Sequence, residues 1–152
     1  NLIGFGEGEM QLRKLISDLD LESDITLTIN ASRQEIENHL LNTDIYIQPS
    51  FVDNESGAEE TFCIAVMESI ASGCYTLVNG YGAMKEIYTP LERVNPNFDF
   101  YLENDYSDLI NKVVGFYEDP PKENKIAVQD FLVSYSPNCV VKEIFEIYKK
   151  VL

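Results

Sequence analysis

The chain is expected to adopt an α/β fold, a Rossmann-like parallel sheet with flanking helices. Three observations predict it. Short apolar runs alternate with amphipathic stretches nearly throughout, as in repeated strand–helix units. Turn-forming residues such as Gln48-Pro49-Ser50 and the glycine-rich Asn79–Gly82 stop the apolar runs. The chain has 152 residues, which suits one domain and is enough to bury a real core.

The elements follow in order. Leu2 to Phe5 reads as a short buried strand. A helix from about Glu9 to Leu19 places Leu12, Leu15, Ile16 and Leu19 on one face. Ile25 to Ile29 alternates as a strand does. Ser32 with Glu35 three residues on matches a capping box and opens a helix through Leu41. Ile45 to Ile47 is the next strand, and Phe51 to Glu59 is polar, acidic and irregular. A helix from about Cys63 to Ala71 ends at Gly73, and Tyr75 to Val78 follows as a strand. Asn79 to Gly82 forms a turn, and a short helix around Met84 to Tyr88 leads into a Pro-containing loop. Phe98 to Leu102 is the last strand. Helices over about Tyr106–Tyr117, Lys122–Ser134 and Asn138–Val151 finish the chain, with no internal repeat or low-complexity tract. In such sheets ligands bind beyond the carboxyl ends of the strands, where helix N-termini gather. Attention therefore falls on the loops after Phe5, Ile29, Gln48 and Val78.

Composition narrows the function. Lys plus Arg is 11 and Asp plus Glu is 26, a formal net charge of −15. That balance argues against a nucleic-acid partner, which needs a basic surface, and against docking on anionic lipid. No apolar run approaches the roughly 20 residues that cross a membrane. The chain starts at Asn1 with no signal-peptide pattern, and reads as a piece of a longer protein beginning inside a structural element. Cys63, Cys74 and Cys139 show neither pairing nor metal-ligand spacing, so they read as free thiols in a reducing cytoplasm. His39, the only histidine, sits in a helical pattern and reads as structural or simply exposed.

Two carboxylates carry the chemical signal. Glu60 and Glu68 flank TFCIAVM at the start of a predicted helix. With Glu60 just before that helix and Glu68 two turns inside it, their backbones stand roughly 10–12 Å apart along its axis. The free N–H groups and dipole of the helix start lie between them and favour a phosphate. Carboxylates at either end accept charge-assisted hydrogen bonds from sugar hydroxyls. A ligand built as sugar, diphosphate and ribose fits that layout. Spacing alone equally allows a surface helix with solvated glutamates.

The run ETFCIAVMESIASGCYTLVNGYGAMKEI resembles the signature of group 1, GT-B-type retaining glycosyltransferases. Its pattern is E-G-F-G-aliphatic, then E-A-x-A-x-G, an apolar strand, a Gly-rich turn and a later glutamate. Upstream, LIGFGEGE resembles the family's strand with a Gly-x-Gly turn, and TDIYIQPS its "adv-x-PS" strand. YSPNCVVKEIFEIYKKVL resembles its terminal helix. The resemblance implies the C-terminal, donor-binding half of a two-domain enzyme, working in polysaccharide biosynthesis in the cytoplasm. Its substrate would be a nucleotide-diphosphate sugar, such as a UDP- or GDP-sugar, with no metal and no separate cofactor. Glu60 matches the glutamate that contacts the transferred sugar. Thr61, Phe62, Cys63 and Ile64 match the turn whose N–H groups hold sugar hydroxyls and phosphate. Glu68 matches the ribose-binding glutamate, and Asn30 and Ala31 the loop bordering the base. Gly82 and Glu86 fall in the Gly-rich turn and at its following glutamate, where a structural role is at least as well supported as contact.

The chain departs from the pattern at several points. Thr61, Cys63 and Asn30 stand where glycines are usual, and side chains there narrow the backbone's approach to a ligand. The FVDNESGAE insert is longer and more acidic than the family's. A helix N-terminus lowers a thiol's pKa, but Cys63 reads first as a small residue filling space. LIGFGEGE lacks the spacing of GxGxxG, and no GxxxxGK[ST] loop occurs.

The family's diphosphate-gripping Arg and Lys, and its N-terminal acceptor-binding domain, would precede Asn1. The fragment alone is then expected to show little or no transferase activity. By the family's strand order a further strand would lie between the Leu2 and Ile45 strands, so the neighbour of Leu2–Phe5 is informative. Two other readings stay open. One is a sugar-nucleotide epimerase or phosphorylase of the same fold, and the other a non-catalytic α/β interaction module with a vestigial site.

Overall fold

The computed structural model describes residues 1–51, 57, 60–102, 105–122 and 125–151. Most of the acidic insert 51–59 lies outside the described residues. The element order is β1 (Leu2–Gly4), α1 (Glu9–Asp18), β2 (Leu27–Ile29), α2 (Arg33–Leu41), β3 (Ile45–Gln48), α3 (Ile64–Ser72), β4 (Tyr75–Asn79), α4 (Gly82–Glu92), β5 (Phe98–Tyr101), α5 (Tyr106–Glu118), α6 (Lys125–Ser134) and α7 (Pro137–Val151). The chain divides into two units, Asn1–Asn42 and Thr43–Leu152.

In the first unit β1 and β2 pair in parallel, with Leu2 opposite Leu27 and Gly4 opposite Ile29. The neighbour of β1 is therefore β2. Their connection, α1, ends in a left-handed residue, Asp20 at φ 56°. The Leu21 N–H reaches the carbonyl of Ile16 and the Asp20 N–H that of Ser17, so the last turn's carbonyls are satisfied. Of the expected apolar face of α1, Ile16 is buried and Leu12 half-buried, while Leu15 and Leu19 are exposed. The capping box of α2 is present. Ser32 N–H donates to Glu35 Oε2 at 2.8 Å, and Glu35 N–H donates to Ser32 Oγ at 3.3 Å. Two orphan donors of the first turn are satisfied reciprocally.

The second unit is a three-stranded parallel sheet in the order β3-β4-β5. Alternation along each strand sends side chains to opposite faces. Val78, Phe98 and Phe100 join Val66 and Ile70 of α3, Met84, Tyr88 and Leu91 of α4, and Val128 of α6 in one core. Tyr75, Leu77 and Tyr101 form the other, against Leu109, Val113 and Phe116 of α5. Helices thus cover both faces, and β4 is buried at every residue. Inside the first layer Ser69 Oγ and Thr76 Oγ1, both fully buried, lie 3.0 Å apart. Each also reaches a backbone carbonyl, of Val66 and Cys74 respectively.

Two helices differ from expectation. α4 does not stop at Tyr88; it continues to Glu92 with Pro90 inside it. A proline within a helix costs about 3 kcal/mol. Met84, Tyr88 and Leu91 recur at helical spacing and are all fully buried. Each such side chain contributes about 1.5–3 kcal/mol, so the buried stripe outweighs the break. Gly82, expected in a turn, is accordingly the first residue of α4. α6 begins at Lys125, not Lys122. Gly73, at φ 84°, closes α3 as expected.

Candidate functional site

Because β3, β4 and β5 run parallel, Gln48, Asn79 and Tyr101 end at one edge of their sheet. The chain leaving β3 there is tied down by side chains. Tyr46 Oη donates to Gln48 Oε1, and Gln48 Nε2 donates to Ser50 Oγ at 2.6 Å. From the next strand, Asn79 Nδ2 donates to the Ser50 carbonyl at 3.0 Å.

The chain approaches α3 through Glu60, half-buried, then Thr61 and Phe62, both exposed. Phe62 rests on Tyr135, with ring centroids 5.8 Å apart. Cys63 is the N-cap residue, without a side-chain cap bond, and its carbonyl accepts from Tyr88 Oη at 3.2 Å. Ile64, the first residue of the helix, is exposed. An α-helix leaves its first N–H groups without intrahelical partners, so a donor-rich helix start follows directly on Glu60. Glu68 is the fifth residue of α3, half-buried. It lies little over one turn in, about 6 Å along the axis from Ile64, nearer the helix start than the two turns expected.

Each glutamate acts electrostatically on a buried group, Glu68 on Tyr46 and Glu60 on Tyr88 and Cys63. Burial, then the neighbouring Cys63 and Tyr88 and the carboxylate of Glu68, push the Tyr46 phenol well above its ordinary value. Burial, Cys63, Tyr135 and Glu60 do the same to Tyr88. The Cys63 thiol is also raised, chiefly by burial and further by Glu60, although the N–H groups of Val66 and Ala65 pull the other way. The lowering that a helix N-terminus brings to an accessible thiol is therefore overridden. Cys63 is 8% exposed and part of the core, which agrees with its reading as a space-filling residue.

An open groove lies elsewhere. It runs between the C-terminal end of α3 and α6, lined by Ala71, Ser72, Gly73, Val128, Leu132 and Ser136 among others, and includes none of the candidate residues. A groove without convergent charged groups is less informative than a helix start flanked by two carboxylates.

Comparison with known proteins decides the family. Residues 1–129 match the family of glycosyl transferases, group 1. The chain belongs to that family. It is also 31% identical over 86 residues to the amylovoran biosynthesis glycosyltransferase AmsK of Erwinia amylovora. That match covers 57% of this chain and 21% of AmsK, so the chain spans about a fifth of that relative's length.

The group 1 match runs from β1 into α6, and α7 lies beyond it. In this glycosyl transferase chain Asn30 and Ala31 sit in the first unit, just after β2. Asn30 is exposed at φ 54°, and its N–H donates to the Gly4 carbonyl at 3.2 Å. The left-handed region favours glycine and tolerates asparagine best among other residues. That accounts for Asn30 standing where the resemblance expects glycine. In the second unit Gly82 is exposed at φ 48°, and Glu86 is exposed on α4. Sequence reasoning passed over two residues here, Gly80 and Asn79. A Cβ on Gly80 would meet the Tyr101 carbonyl oxygen at 3.0 Å and Phe100 Cβ at 3.3 Å, so this glycine lets the chain turn against β5. The only signal for it was an Asn-Gly pair directly after an apolar strand.

Proposed function

We propose that this chain binds the nucleotide-diphosphate-sugar donor of a retaining glycosyl transfer, at the start of α3. The observation that carries this reading is the placement of Glu60 and Glu68 about one exposed-to-half-buried helix start in a group 1 glycosyl transferase. Glu60 accepts hydrogen bonds from the hydroxyls of the transferred sugar. The turn Thr61–Ile64 and the first N–H groups of α3 receive the diphosphate, whose developing charge they stabilise as the bond to the sugar breaks. Glu68, on the half-buried side of the helix, takes the ribose hydroxyls. Gly82, at the start of α4, borders the donor in this reading. A UDP- or GDP-sugar is the substrate class, and charge is met by amides and by cations outside this chain, without a metal. The acceptor binds an N-terminal domain of the same protein, and the setting is cytoplasmic polysaccharide synthesis. AmsK, a glycosyltransferase named for amylovoran biosynthesis, supports a biosynthetic role.

A second reading is a non-catalytic interaction module of the same fold. Its support is the loss of two motif glycines, at Thr61 and Cys63, together with the acidic insert, most of which lies outside the described residues. The Cys63 side chain is buried in the core, so it does not occupy the ligand's approach, and only Thr61 does. The transferase reading is therefore favoured. Its test is sugar transfer by the whole protein that contains this chain, with the anomeric configuration of the product read by NMR. Retention supports the reading, whereas inversion, or no transfer from any UDP- or GDP-sugar, contradicts it.

A further inference from the structure

Tyr88 lies fully buried in the middle of α4, its ring between Phe98 and Phe131. A phenylalanine would fill that space equally well, and a buried hydroxyl costs free energy unless it is bonded. The hydroxyl has a partner outside its own helix: Tyr88 Oη donates to the Cys63 carbonyl at 3.2 Å. Burial, then Cys63, Tyr135 and Glu60, raise the phenol, so it keeps its proton and remains a donor.

Cys63 is the N-cap of α3. Its carbonyl also accepts the first helical bonds, from the N–H groups of Val66 at 3.1 Å and Met67 at 3.4 Å. Tyr88 therefore grips the acceptor on which the first turn of α3 closes. Two other helix starts in the chain are fixed from the opposite side. Ser32 accepts from the Glu35 N–H at the start of α2, and Asp105 accepts from the Ser107 and Asp108 N–H groups at the start of α5. Caps of that kind take up first-turn donors. Cys63 makes no side-chain cap bond, so α3 is held through its carbonyl while no cap oxygen occupies its first N–H groups. A helix start that is fixed but uncapped suits an anion. The next turn of α3, beside Glu68, is anchored separately, by Ser69 on Thr76 and by Ile70 in the core.

We propose that Tyr88 is a positioning residue for the diphosphate end of the donor site: its bond to the Cys63 carbonyl holds the first turn of α3 where its N–H groups meet the phosphates. The inference rests on the donor-binding reading above. Loss of the hydroxyl weakens the grip on phosphate and leaves the ribose side, at Glu68, intact.

The experiment uses the whole protein that contains this chain, with Tyr88→Phe, which loses one oxygen and keeps the ring. UDP and GDP are titrated calorimetrically, and uridine and guanosine are measured as their competitors. For the base that the parent binds, affinity for the nucleoside diphosphate is expected to fall roughly fivefold, the scale of one net hydrogen bond. Affinity for the nucleoside is expected to stay within about twofold. Tyr135→Phe is the control. It takes a hydroxyl from a nearby ring of the same aromatic cluster, bonded to the Ile87 carbonyl at 3.4 Å, and leaves the Cys63 carbonyl untouched. Both affinities are expected to match the parent there. Unchanged diphosphate affinity in Tyr88→Phe, equal losses for diphosphate and nucleoside, or the same loss in Tyr135→Phe overturns the proposal and leaves the donor reading standing. A parent that binds neither diphosphate overturns the donor reading, and the proposal with it.

Discussion

The phenol of Tyr88 donates to the carbonyl oxygen of Cys63 across 3.2 Å, tying the middle of α4 to the residue that caps α3. Tyr88 is fully buried and packs its ring against Phe98 and Phe131, at centroid distances of 5.6 and 5.9 Å. Tyr88→Phe keeps both ring contacts and removes the bond. Unfolding in urea is expected to show a loss of about 1 kcal/mol, the net worth of one buried hydrogen bond, since the Val66 and Met67 N–H groups still donate to the Cys63 carbonyl. An unchanged midpoint would mean that this bond does not anchor the helix start.

Gly80 tests the fit between β4 and β5. Its N–H donates to the Tyr101 carbonyl at 3.0 Å, and an added Cβ would lie 3.0 Å from that same oxygen. The oxygen belongs to a paired strand and has little room to retreat. Gly80→Ala is therefore expected to destabilise by about 1–3 kcal/mol, the usual cost of overpacking, read as a lowered Tm. Gly115→Ala is the control, since nothing lies within 4 Å of a Cβ built there.

The buried thiols and phenols make the fold sensitive to alkali. Burial raises Cys63 and Cys74 above the ordinary 9.0 and pushes Tyr75 up from 10.0 to about 12. Tyr46 and Tyr88 are raised further still. In each case the folded state favours the neutral form. The stability this contributes is whole below the unfolded values and is lost as pH rises through 9 toward 12. Denaturation midpoints are expected to fall steadily over that window, and a flat profile would contradict the assignment. All three cysteines are free thiols. At pH 8 the half-buried Cys139 should react with a thiol reagent ahead of Cys63 and Cys74, and the order is read by mass spectrometry.

Much of this architecture was legible in the residues. Ser32 with Glu35, and Gly73 after an apolar helix, mark boundaries because cap chemistry is local and specific. The alternation in Phe98–Tyr101 and the largely apolar Tyr75–Val78 run report which strand faces one layer and which is covered on both sides. Local patterns failed where tertiary burial outweighed them. Pro90 reads as a stop, yet Leu91 beyond it is fully buried and the helix carries on. Cys63 reads as a space-filling residue in spite of its helix start, and its burial agrees. The glutamates of the candidate site were found through a motif, whereas the Asn79–Ser50 bond was not, because it joins residues 29 apart in sequence.

The most direct test of the central claim is titration of the whole protein that contains this chain with UDP, GDP and their sugars, repeated with Glu68→Ala. The account predicts saturable binding to one nucleotide series in the parent. It predicts a loss of at least about tenfold in Glu68→Ala, because charge-assisted bonds to the ribose, worth about 1.5–3 kcal/mol, disappear. Binding that survives unchanged in Glu68→Ala, or no binding to any nucleotide in the parent, would contradict it.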